Sequence, residues 1–410
     1  MKATPKHQEM TQFPVLDNQL QIGGIPVTRL AARVGQTPFY AYDRRLITDR
    51  VNTLRNILPD GIHLHYAIKA NSMPAVVQHL SGLTDGLDVA SLGEMTTALD
   101  TGIDPACISF AGPGKSDREL KAAIAAGVII NLESEGEMAR AARIGNELSI
   151  RPRVSIRVNP DFELKTSGMK MSGGPKPFGI DAERVPAALA EAGQLELDFR
   201  GFHIFSGSQN LRPEALIEAQ SNTFELACRL SEQAPGPIRW LNIGGGFGIP
   251  YFPGETALDL EPVAENLQRL LDQYQPRLPE AEVVIELGRY LVGEAGIYVC
   301  EVIDRKVSRG ETFIVTNGGL HHHLAASGNF GQVIRKNYPA AVGNRMASDE
   351  TETVNVVGPL CTPLDILANK VELPVMEPGD LVVIYQSGAY GLRASPRDFL
   401  SHPDVTEILI

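Results

Sequence analysis

The chain of 410 residues is long enough for two or three domains, although one α/β barrel alone takes about 250 residues. Hydrophobic residues make up 43% and charged residues 21%, which excludes a disordered or fibrous chain. Lys and Arg number 37 against 49 Asp and Glu, and the net charge of −12 argues against a nucleic acid or an anionic membrane as a partner.

The N-terminal segment has no apolar stretch long enough for a signal peptide. The longest apolar run, at 122–130, is far shorter than the roughly 20 residues that span a bilayer. We therefore expect no membrane insertion. The four cysteines show no CxxC or paired spacing: Cys107, Cys228, Cys300 and Cys361. In a chain of this length, that pattern predicts reduced thiols in a cytoplasmic protein.

Short β-branched segments alternate with amphipathic segments from residue 62 onward. Eight segments are predicted as strands: 62–69, 87–91, 107–111, 128–133, 154–159, 199–205, 240–245 and 283–288. This alternation indicates βαβ units and a parallel sheet. Eight strands in about 230 residues favour a TIM (β/α)8 barrel over a doubly wound sheet. The glycine-rich fingerprint of a doubly wound sheet would follow the first strand, whereas GGGFG here follows the seventh.

The sequence pattern changes after residue 295, where strand-like runs are separated by turn residues and helical patterns are scarce. We predict a C-terminal all-β domain of the sandwich or barrel-like type, to which the N-terminal residues add strands. The predicted barrel covers 38–280, and the β-domain covers 1–37 and 281–410. The Gly-, Lys- and Pro-rich segment 164–180 is predicted as a loop over the barrel mouth.

Polar residues and glycines mark the ends of five predicted strands, where TIM barrels carry their chemistry. They are Lys69, Asp88, His203, Phe205, Gly244–Gly246, Glu286, Gly288 and Arg289. Each also has an ordinary interpretation, such as a solvated lysine, a glycine turn or a carboxylate that caps a strand. Apolar neighbours would instead lower the pKa of Lys69 and make its amine a nucleophile.

Three of these features suit one cofactor. Loops after strands seven and eight form the usual phosphate site of this barrel, where glycine N–H groups approach the anion and Arg289 adds positive charge. Glu286 beside a heterocyclic nitrogen would keep that nitrogen protonated. A lysine for an imine, an anion site and a carboxylate are what pyridoxal 5'-phosphate requires, so the pattern predicts this cofactor.

Seven motifs then carry a family resemblance over roughly residues 35–400. In chain order they are YAIKAN (66–71), DVASLGE (88–94), GSQ (207–209), GGGFG (244–248), ELGR (286–289), GPLCTPLD (358–365) and GAYG (388–391). The chain resembles the fold-type III pyridoxal-phosphate decarboxylases, which include ornithine, diaminopimelate and arginine decarboxylases. The resemblance implies a TIM barrel with a β-domain. It also implies a homodimer in which each β-domain contributes to the partner's active site.

The same resemblance implies cofactor roles for the matching residues. Lys69 would form the Schiff base, Asp88 would lie near the cofactor, and Glu286 would pair with the pyridine nitrogen. The phosphate would be surrounded by Ser208, Gly245, Gly246, Arg289 and Tyr390.

Substrate roles are implied as well. Arg289 meets the substrate carboxylate in some members of the family. Cys361 of the partner subunit would protonate the carbanion left after CO2 loss, and Asp365 would lie near that site.

Two positions depart from the family pattern. The family has HIGSQ or HVGS, whose histidine stacks on the pyridoxal ring; aligned on GSQ, this position is Phe205, and His203 falls two residues earlier. A phenyl ring can stack but cannot donate a hydrogen bond. The residue after the cysteine is normally acidic and binds a distal amino group of the substrate, but here it is Thr362. A neutral residue there disfavours ornithine, lysine and diaminopimelate.

Longer strings such as FAGPGK and GGLHHHLAASGNFGQVIRKNYP resemble one branch more closely. That branch is the pyridoxal-dependent decarboxylases associated with exosortase A systems. Many of the strings also resemble decarboxylases that act on aminoacyl groups tethered to acyl-carrier proteins, as in butirosin biosynthesis.

The leading hypothesis is a decarboxylase of an L-amino acid or of its carrier-linked derivative. One alternative is meso-diaminopimelate decarboxylase of lysine biosynthesis, and another is a catalytically inactive regulatory homologue, which Lys69, Glu286 and Cys361 argue against. His321–His323 suggest a metal, but adjacent residues of a strand point to opposite faces, so we expect no metal site.

Overall fold

The computed structural model describes residues 5–162, 169–170 and 173–410. They form two compact units. One, called the barrel unit, contains 51–249 and 257–288, and the other, called the β-unit, contains the residues up to 50, 250–256 and 289–410.

The barrel unit contains eight parallel strands, each buried along most of its length. Numbered 1 to 8 in chain order, they are Ile62–Ala67, Gly86–Val89, Ile108–Phe110, Ile129–Leu132, Arg153–Asn159, Asp198–His203, Trp240–Gly245 and Glu282–Leu287. Each strand pairs with its sequence neighbours, and strand 8 pairs with strand 1, which closes the sheet. The predicted TIM barrel is confirmed.

The helix Arg44–Ile57 precedes strand 1, and further helices connect the successive strands of this barrel. The connecting helices are Pro74–Ser81, Leu92–Asp100, Asp117–Ala126, Glu135–Leu148, Val185–Gln194, Pro213–Ser231 and Glu261–Tyr274. Three of them begin at a serine whose hydroxyl accepts from the backbone N–H three residues on: Ser91, Ser116 and Ser134. Such caps satisfy free helix N–H groups, so the chain turns into a helix soon after strands 2, 3 and 4.

Five short elements of the described residues flank the barrel. Helical turns of the 3-10 type lie at Ile68–Ala70 and Pro105–Cys107. The strand Ile180–Asp181 pairs in parallel with strand 5, and Met169–Lys170 pairs with Gly207–Ser208. The loop predicted at 164–180 lies partly outside the described residues.

The main sheet of the β-unit is mixed and curls into a nearly closed barrel. Its strands are Phe39–Tyr42, Gly296–Ser308, Glu311–Thr316, Ala340–Val342, Thr351–Val357, Ile366–Pro374, Leu381–Ile384 and Thr406–Leu409. A separate three-stranded sheet contains Val15–Leu16, Gln19–Ile22 and Ile25–Pro26. Helices lie at Val27–Val34 and Arg289–Val292, and 3-10 turns at Gly293–Ala295, Leu392–Ala394 and Phe399–Ser401. A core of aromatic and aliphatic side chains, including Phe39, Ile297 and Val383, fills it. The predicted all-β domain is confirmed.

The predicted boundaries between the two parts shift. Strand 8 closes the barrel and belongs to the barrel unit, so the boundary placed at 280 moves to 288. Phe39–Tyr42 pairs with Gly296–Ser308 and Thr406–Leu409, so this strand belongs to the β-unit rather than to the barrel. Within the described residues, the helices are too short or too polar to cross a bilayer.

Candidate active site

Lys69 lies directly after strand 1, in the 3-10 turn Ile68–Ala70. The side chain is exposed, and its Nζ lies 5.4 Å from the centroid of the Phe205 ring, which follows strand 6. The predicted Schiff-base lysine and the phenylalanine at the predicted ring-stacking position therefore lie beside each other. An accessible amine beside an aromatic surface suits a flat, covalently held ligand.

Asp88 lies in strand 2 with one carboxylate oxygen occupied and one without a partner. The Ser109 hydroxyl donates to Oδ1, and the Asn131 amide donates 3.2 Å to the same hydroxyl oxygen. Oδ2 is buried and has no hydrogen-bond partner among the described residues. A buried carboxylate oxygen without a partner is costly, so this atom indicates a bound group that would satisfy it.

Glu286 lies in strand 8, buried among donors. Asn242 donates a 3.1 Å hydrogen bond to Oε2, and Nε2 of His203 lies 3.1 Å from the same oxygen. Burial alone would raise the pKa of this carboxyl, but the positive charges of His203, Lys69 and Arg157 bring it well below its usual value. Glu286 is therefore ionised at neutral pH, as a carboxylate that pairs with a protonated ring nitrogen must be.

Glycines at the end of strand 7 allow neighbouring segments of backbone to approach closely. A Cβ on Gly246 would lie 2.2 Å from the carbonyl oxygen of Gly207, and one on Gly245 would lie 2.2 Å from that of Glu286. Gly246 also has φ of +76°, a left-handed conformation that glycine adopts without strain. Ser208 follows Gly207 and is half-buried. The predicted phosphate residues Ser208, Gly245 and Gly246 thus come together in one cradle of backbone.

Arg289 lies in the β-unit, surrounded by tyrosines. Its guanidinium donates 2.9 Å to the Tyr251 hydroxyl and lies 4.6 Å from the centroid of the Tyr390 ring. Tyr338 packs on Tyr251 with ring centroids 4.7 Å apart. Although burial opposes it, the neighbouring tyrosines hold the pKa of Arg289 above its usual value.

The guanidinium of Arg289 makes no carboxylate contact within 4.0 Å in the part of the chain that the structure describes. Its buried Nε also has no hydrogen-bond partner there. A charged, partly buried guanidinium with unused donors is suited to an anion such as a phosphate or a carboxylate.

The predicted acid and its neighbours occupy one loop of the β-unit. Cys361 is exposed and Thr362 is half-buried. Asp365 is buried, and its two oxygens accept from the backbone N–H groups of Leu320 at 2.6 Å and Leu360 at 2.8 Å. Asp365 therefore shapes the loop that carries Cys361, and its role near the substrate stays a prediction.

Sequence reasoning missed several residues of these clusters. Arg157 in strand 5 forms a buried 2.8 Å ion pair with Glu133, which follows strand 4. Asn242 beside Glu286 and Tyr338 beside Tyr251 were also not predicted. A charged residue inside the apolar run VSIRVN was the available indication for Arg157, because an arginine in a buried strand needs a partner.

The three histidines are buried and neutral. Burial lowers the pKa to about 3 for His321, about 4 for His322 and about 3 for His323. His323 Nε2 lies 2.9 Å from the Ser387 hydroxyl, and His322 Nε2 lies 3.0 Å from the Pro403 carbonyl. Residues 5–162 and 173–410 contain no cluster of ligands suited to a metal.

A family model described as "Pyridoxal-dependent decarboxylase, pyridoxal binding domain" matches residues 44–293, more than half of the chain. The chain belongs to the pyridoxal-dependent decarboxylases. Its activity is therefore pyridoxal-dependent decarboxylation of an amino acid.

Relatives and solved structures agree with this assignment. An L-glutamyl-[BtrI acyl-carrier protein] decarboxylase of Niallia circulans is 37% identical over 389 residues, which cover 93% of this chain and 90% of that protein. A diaminopimelate decarboxylase of Aquifex aeolicus is 32% identical, with 96% and 91% covered. The crystal structure of diaminopimelate decarboxylase from Helicobacter pylori complexed with L-lysine has a TM-score of 0.83 and 28% identity, with 93% and 94% covered.

The residues of this pyridoxal-dependent decarboxylase fit the cofactor. In the barrel unit, Asp88 presents a buried oxygen without a partner, and Gly245 and Gly246 leave backbone where a side chain would collide. In the β-unit, Arg289 presents a buried nitrogen without a partner. Each of these atoms indicates a bound polar group, which would be a donor to the Asp88 oxygen and an acceptor from the Arg289 nitrogen.

Proposed function

We propose that this decarboxylase acts on an amino acid whose side chain has no distal ammonium, with an aminoacyl group tethered to an acyl-carrier protein as the favoured form. One observation carries the proposal. In the Cys361 loop, Thr362 is neutral and Asp365 uses both oxygens on backbone N–H groups. The loop therefore offers no free carboxylate to a cationic side chain, which would lose hydration without a matching charge.

The relative from Niallia circulans supports the carrier-linked form, since its name gives an L-glutamyl group on an acyl-carrier protein as its substrate. A thioester-linked γ-carboxyl is neutral and extended, so it requires neither a carboxylate nor a guanidinium in the Cys361 loop. The association with exosortase A systems that the longer sequence strings suggest stays a prediction.

Pyridoxal phosphate, when bound, supplies an electron sink for the pair released as the Cα–CO2 bond breaks. In our proposal Lys69 holds the cofactor covalently through Nζ, and Phe205 stacks on its ring. Glu286 keeps the pyridine nitrogen protonated, and Asp88 approaches the cofactor through its free oxygen. The phosphate of the cofactor would be held by Ser208, Gly245, Gly246, Arg289 and Tyr390.

Arg289 has a second candidate ligand, the substrate carboxylate. Its guanidinium has donors to spare in addition to the one that contacts Tyr251. A single arginine beside both anions would orient the carboxylate that leaves as CO2, because a planar guanidinium fixes the direction of the groups it binds.

We further propose that Cys361 of the partner subunit gives its proton to Cα after CO2 leaves. Cys361 is exposed on the single chain, as a residue that completes another subunit's site would be. Two apolar side chains on the same unit are also exposed, Val333 at 100% and Ile334 at 75%. Their loop is tied to the Cys361 loop by a 3.3 Å bond from Asn329 to the Leu364 carbonyl. Exposed apolar groups in one place mark a surface that a second copy would cover.

A CO2-release assay tests the substrate. The purified enzyme with pyridoxal phosphate is given free L-glutamate, L-ornithine, meso-diaminopimelate and L-glutamyl carrier protein, with Lys69→Ala as the inactive control. We expect the carrier-linked substrate to be turned over with the highest kcat/KM. A kcat/KM for meso-diaminopimelate above about 10⁴ M⁻¹s⁻¹, an ordinary enzyme value, would contradict the proposal.

Diaminopimelate decarboxylase is the second candidate. It is favoured by the 32% identity to the Aquifex aeolicus enzyme over nearly the full length of both chains. This candidate requires a carboxylate from elsewhere to take the place of Thr362. The same assay separates the two candidates.

A further inference from the structure

The barrel unit contains a buried histidine that the proposed function does not use. We infer that His65 is a positioning residue of the cofactor site, placed between the carboxylates of Glu286 and Asp88. This inference rests on the proposed cofactor roles of those two residues. His65 would act through these two residues by stabilising the charge and fixing the orientation of their carboxylates. It would not itself touch the substrate.

The register of the barrel places His65 between the two acids. In the parallel pairing of strands 8 and 1, His65 is the partner of Glu286, and in the pairing of strands 1 and 2 it is the partner of Gly86. Partnered residues of adjacent strands point their side chains to the same face. Asp88 is two residues after Gly86 and therefore shares that face. His65 thus lies beside Glu286 on one side and near Asp88 on the other.

Packing fixes the direction of the imidazole. His65 is 1% exposed, and its ring meets the Trp240 indole edge-on with centroids 5.0 Å apart. A Cβ on Gly86 would lie 2.1 Å from Cε1 of His65, so only glycine at that position leaves room for the ring. Between Trp240 and Gly86 the plane of the imidazole is confined, and Nδ1 faces Oδ1 of Asp88.

Hydrogen bonding fixes which oxygen of Asp88 faces the histidine. Asn131 donates to the Ser109 oxygen, so the single hydroxyl proton of Ser109 is available to Oδ1 of Asp88. Nδ1 of His65 lies 3.4 Å from the same Oδ1, within ion-pair distance but without hydrogen-bond geometry. Contacts of this length in a ligand-free site shorten when the ligand binds. Oδ1 is thereby occupied by Ser109 and His65, and Oδ2 remains available to the cofactor.

The charges around the two acids define what the loss of His65 would do. Glu286 is faced by His203, Lys69 and Arg157 in addition to its register partner His65. Asp88 has only His65 and the Ser109 hydroxyl within contact distance among the interactions that the structure describes. Removal of the imidazole would take away the ring nitrogen that faces Asp88 and leave the negative charge of that carboxylate less compensated. A less compensated carboxylate holds protons on the bound cofactor to higher pH.

Two substitutions distinguish the role of the ring nitrogens from the packing role of the ring. His65→Phe keeps an aromatic ring against Trp240 and removes both nitrogens, while His65→Asn places an amide close to the position of Nδ1. The matched control is His63→Phe, two residues earlier on the same strand and half-buried. Each protein is prepared without cofactor, and three quantities are measured: pyridoxal-phosphate affinity, the pH midpoint of the visible absorbance of the bound cofactor, and the melting temperature of the cofactor-free protein.

We expect His65→Phe to weaken cofactor affinity by about 10- to 100-fold, the range of a hydrogen bond to a charged group, and to move the pH midpoint upward. His65→Asn should keep the midpoint of the wild type, and His63→Phe should change neither quantity. If His65→Phe does not fold, His65→Leu, which occupies less volume, takes its place. Ser109→Ala should move the midpoint in the same direction, because it removes the other donor to Oδ1.

The inference is overturned if His65→Phe or His65→Leu binds the cofactor with wild-type affinity and midpoint. It is equally overturned if Phe and Asn lower the melting temperature together and leave the midpoint in place, which is the result of a packing role alone. Failure of the proposed function would give a different result. The wild-type protein would then show no visible absorbance of bound pyridoxal phosphate, or the Lys69→Ala variant would show the same absorbance as the wild type.

Discussion

Nε2 of His203 and Nδ2 of Asn242 both lie 3.1 Å from the same oxygen of Glu286, although the three residues come from strands 6, 7 and 8. His203 and Asn242 are themselves partners in the parallel pairing of strands 6 and 7. The carboxylate of Glu286 is therefore held from one side by two residues whose spacing the sheet determines. Such an arrangement keeps the carboxylate ionised and directed before any cofactor binds.

The first prediction concerns the stability that Glu286 provides. Its folded-state pKa is lowered below the value of about 4.3 in an unfolded chain. The carboxylate therefore stabilises the fold above that pH, and the contribution is lost as the pH falls through the folded-state pKa. We expect Glu286→Gln to lower the free energy of unfolding at pH 7. The difference in unfolding free energy between this variant and the wild type should become smaller below about pH 4. Urea unfolding of the cofactor-free protein from pH 3 to pH 7 measures this.

Glu282→Gln is the control for that measurement, because Glu282 begins the same strand and is exposed. Its unfolding free energy should follow the wild type at every pH. A difference between Glu286→Gln and the wild type that stays constant over the whole range would show that Glu286 is not held ionised by its neighbours.

The second prediction concerns the tyrosine surroundings of Arg289. Arg289→Lys keeps a positive charge but loses the planar set of donors, and we expect pyridoxal-phosphate affinity to fall by about 10- to 100-fold. Tyr251→Phe removes only the 2.9 Å contact that orients the guanidinium, and a loss of about 2- to 10-fold is expected. Affinity is read from the visible absorbance of the bound cofactor.

Arg309→Lys provides the control, since Arg309 is exposed on the same unit. Equal affinities of Arg289→Lys and Arg309→Lys would remove Arg289 from the anion site.

The third prediction tests whether two subunits share each site. Lys69→Ala and Cys361→Ala subunits are each expected to be inactive in decarboxylation. In a heterodimer with C2 symmetry one site carries both changes and the other carries neither. An equal mixture that exchanges subunits should therefore recover about a quarter of the wild-type activity. Mass spectrometry of differently tagged subunits confirms exchange. Full exchange without recovered activity would place Cys361 in its own subunit's site or outside both.

The fourth prediction concerns the exposed apolar loop. Ile334→Asp places a charge on the surface that we propose a second copy covers, and it should raise the dimer dissociation constant by at least 10-fold, because a buried charge without a partner is costly. Analytical ultracentrifugation at several concentrations measures it. Ile303→Asp is the control, since Ile303 is another exposed apolar residue of the β-unit, at 55%. Identical dissociation constants for the two variants would show that the loop lies outside the interface.

The strands of the barrel were readable from the sequence because each is a short apolar run between turn residues, and the order of the motifs fixed the family. Lys69 and Phe205, 136 positions apart in the sequence, lie beside each other because the barrel brings strand ends together. Their roles toward the cofactor stay predictions. The contacts of His65 with Asp88, and of His203 with Glu286, were not predicted. They depend on which residues of neighbouring strands are in register, and a single sequence does not determine that register.

The boundary at 280 was placed too early, although segment 283–288 was among the eight predicted barrel strands. Its pairing with Ile62–Ala67 closes the barrel, so the barrel unit extends to 288. The hydrogen bonds of Asp365 were not predicted either. Its two oxygens accept from the backbone N–H groups of Leu320 and Leu360, contacts that the motif GPLCTPLD does not reveal, and its place near the substrate stays a prediction.

The last prediction concerns substrate choice at Thr362. A carboxylate at this position would form a charge-assisted hydrogen bond to a distal ammonium, worth about 1.5–3 kcal/mol, or roughly 10- to 150-fold in kcat/KM. Thr362 is half-buried, and its Oγ1 accepts only a 3.3 Å bond from the N–H of Leu364, so a longer side chain can be accommodated without loss of a strong contact. We expect Thr362→Glu to raise kcat/KM for meso-diaminopimelate or ornithine, relative to the native substrate, by an amount within that range.

Thr362→Gln is the matched control, because its side chain has the length and shape of glutamate but no charge. It should leave the ratio of the two kcat/KM values close to that of the wild type. The pH dependence adds a second check, since the gain from Thr362→Glu should fade as the introduced carboxyl is protonated below its pKa, near 4.3 in the absence of a partner. If the Glu and Gln variants change the ratio equally, shape and not charge decides the side chain that the site accepts, and Thr362 does not explain the exclusion of a distal ammonium.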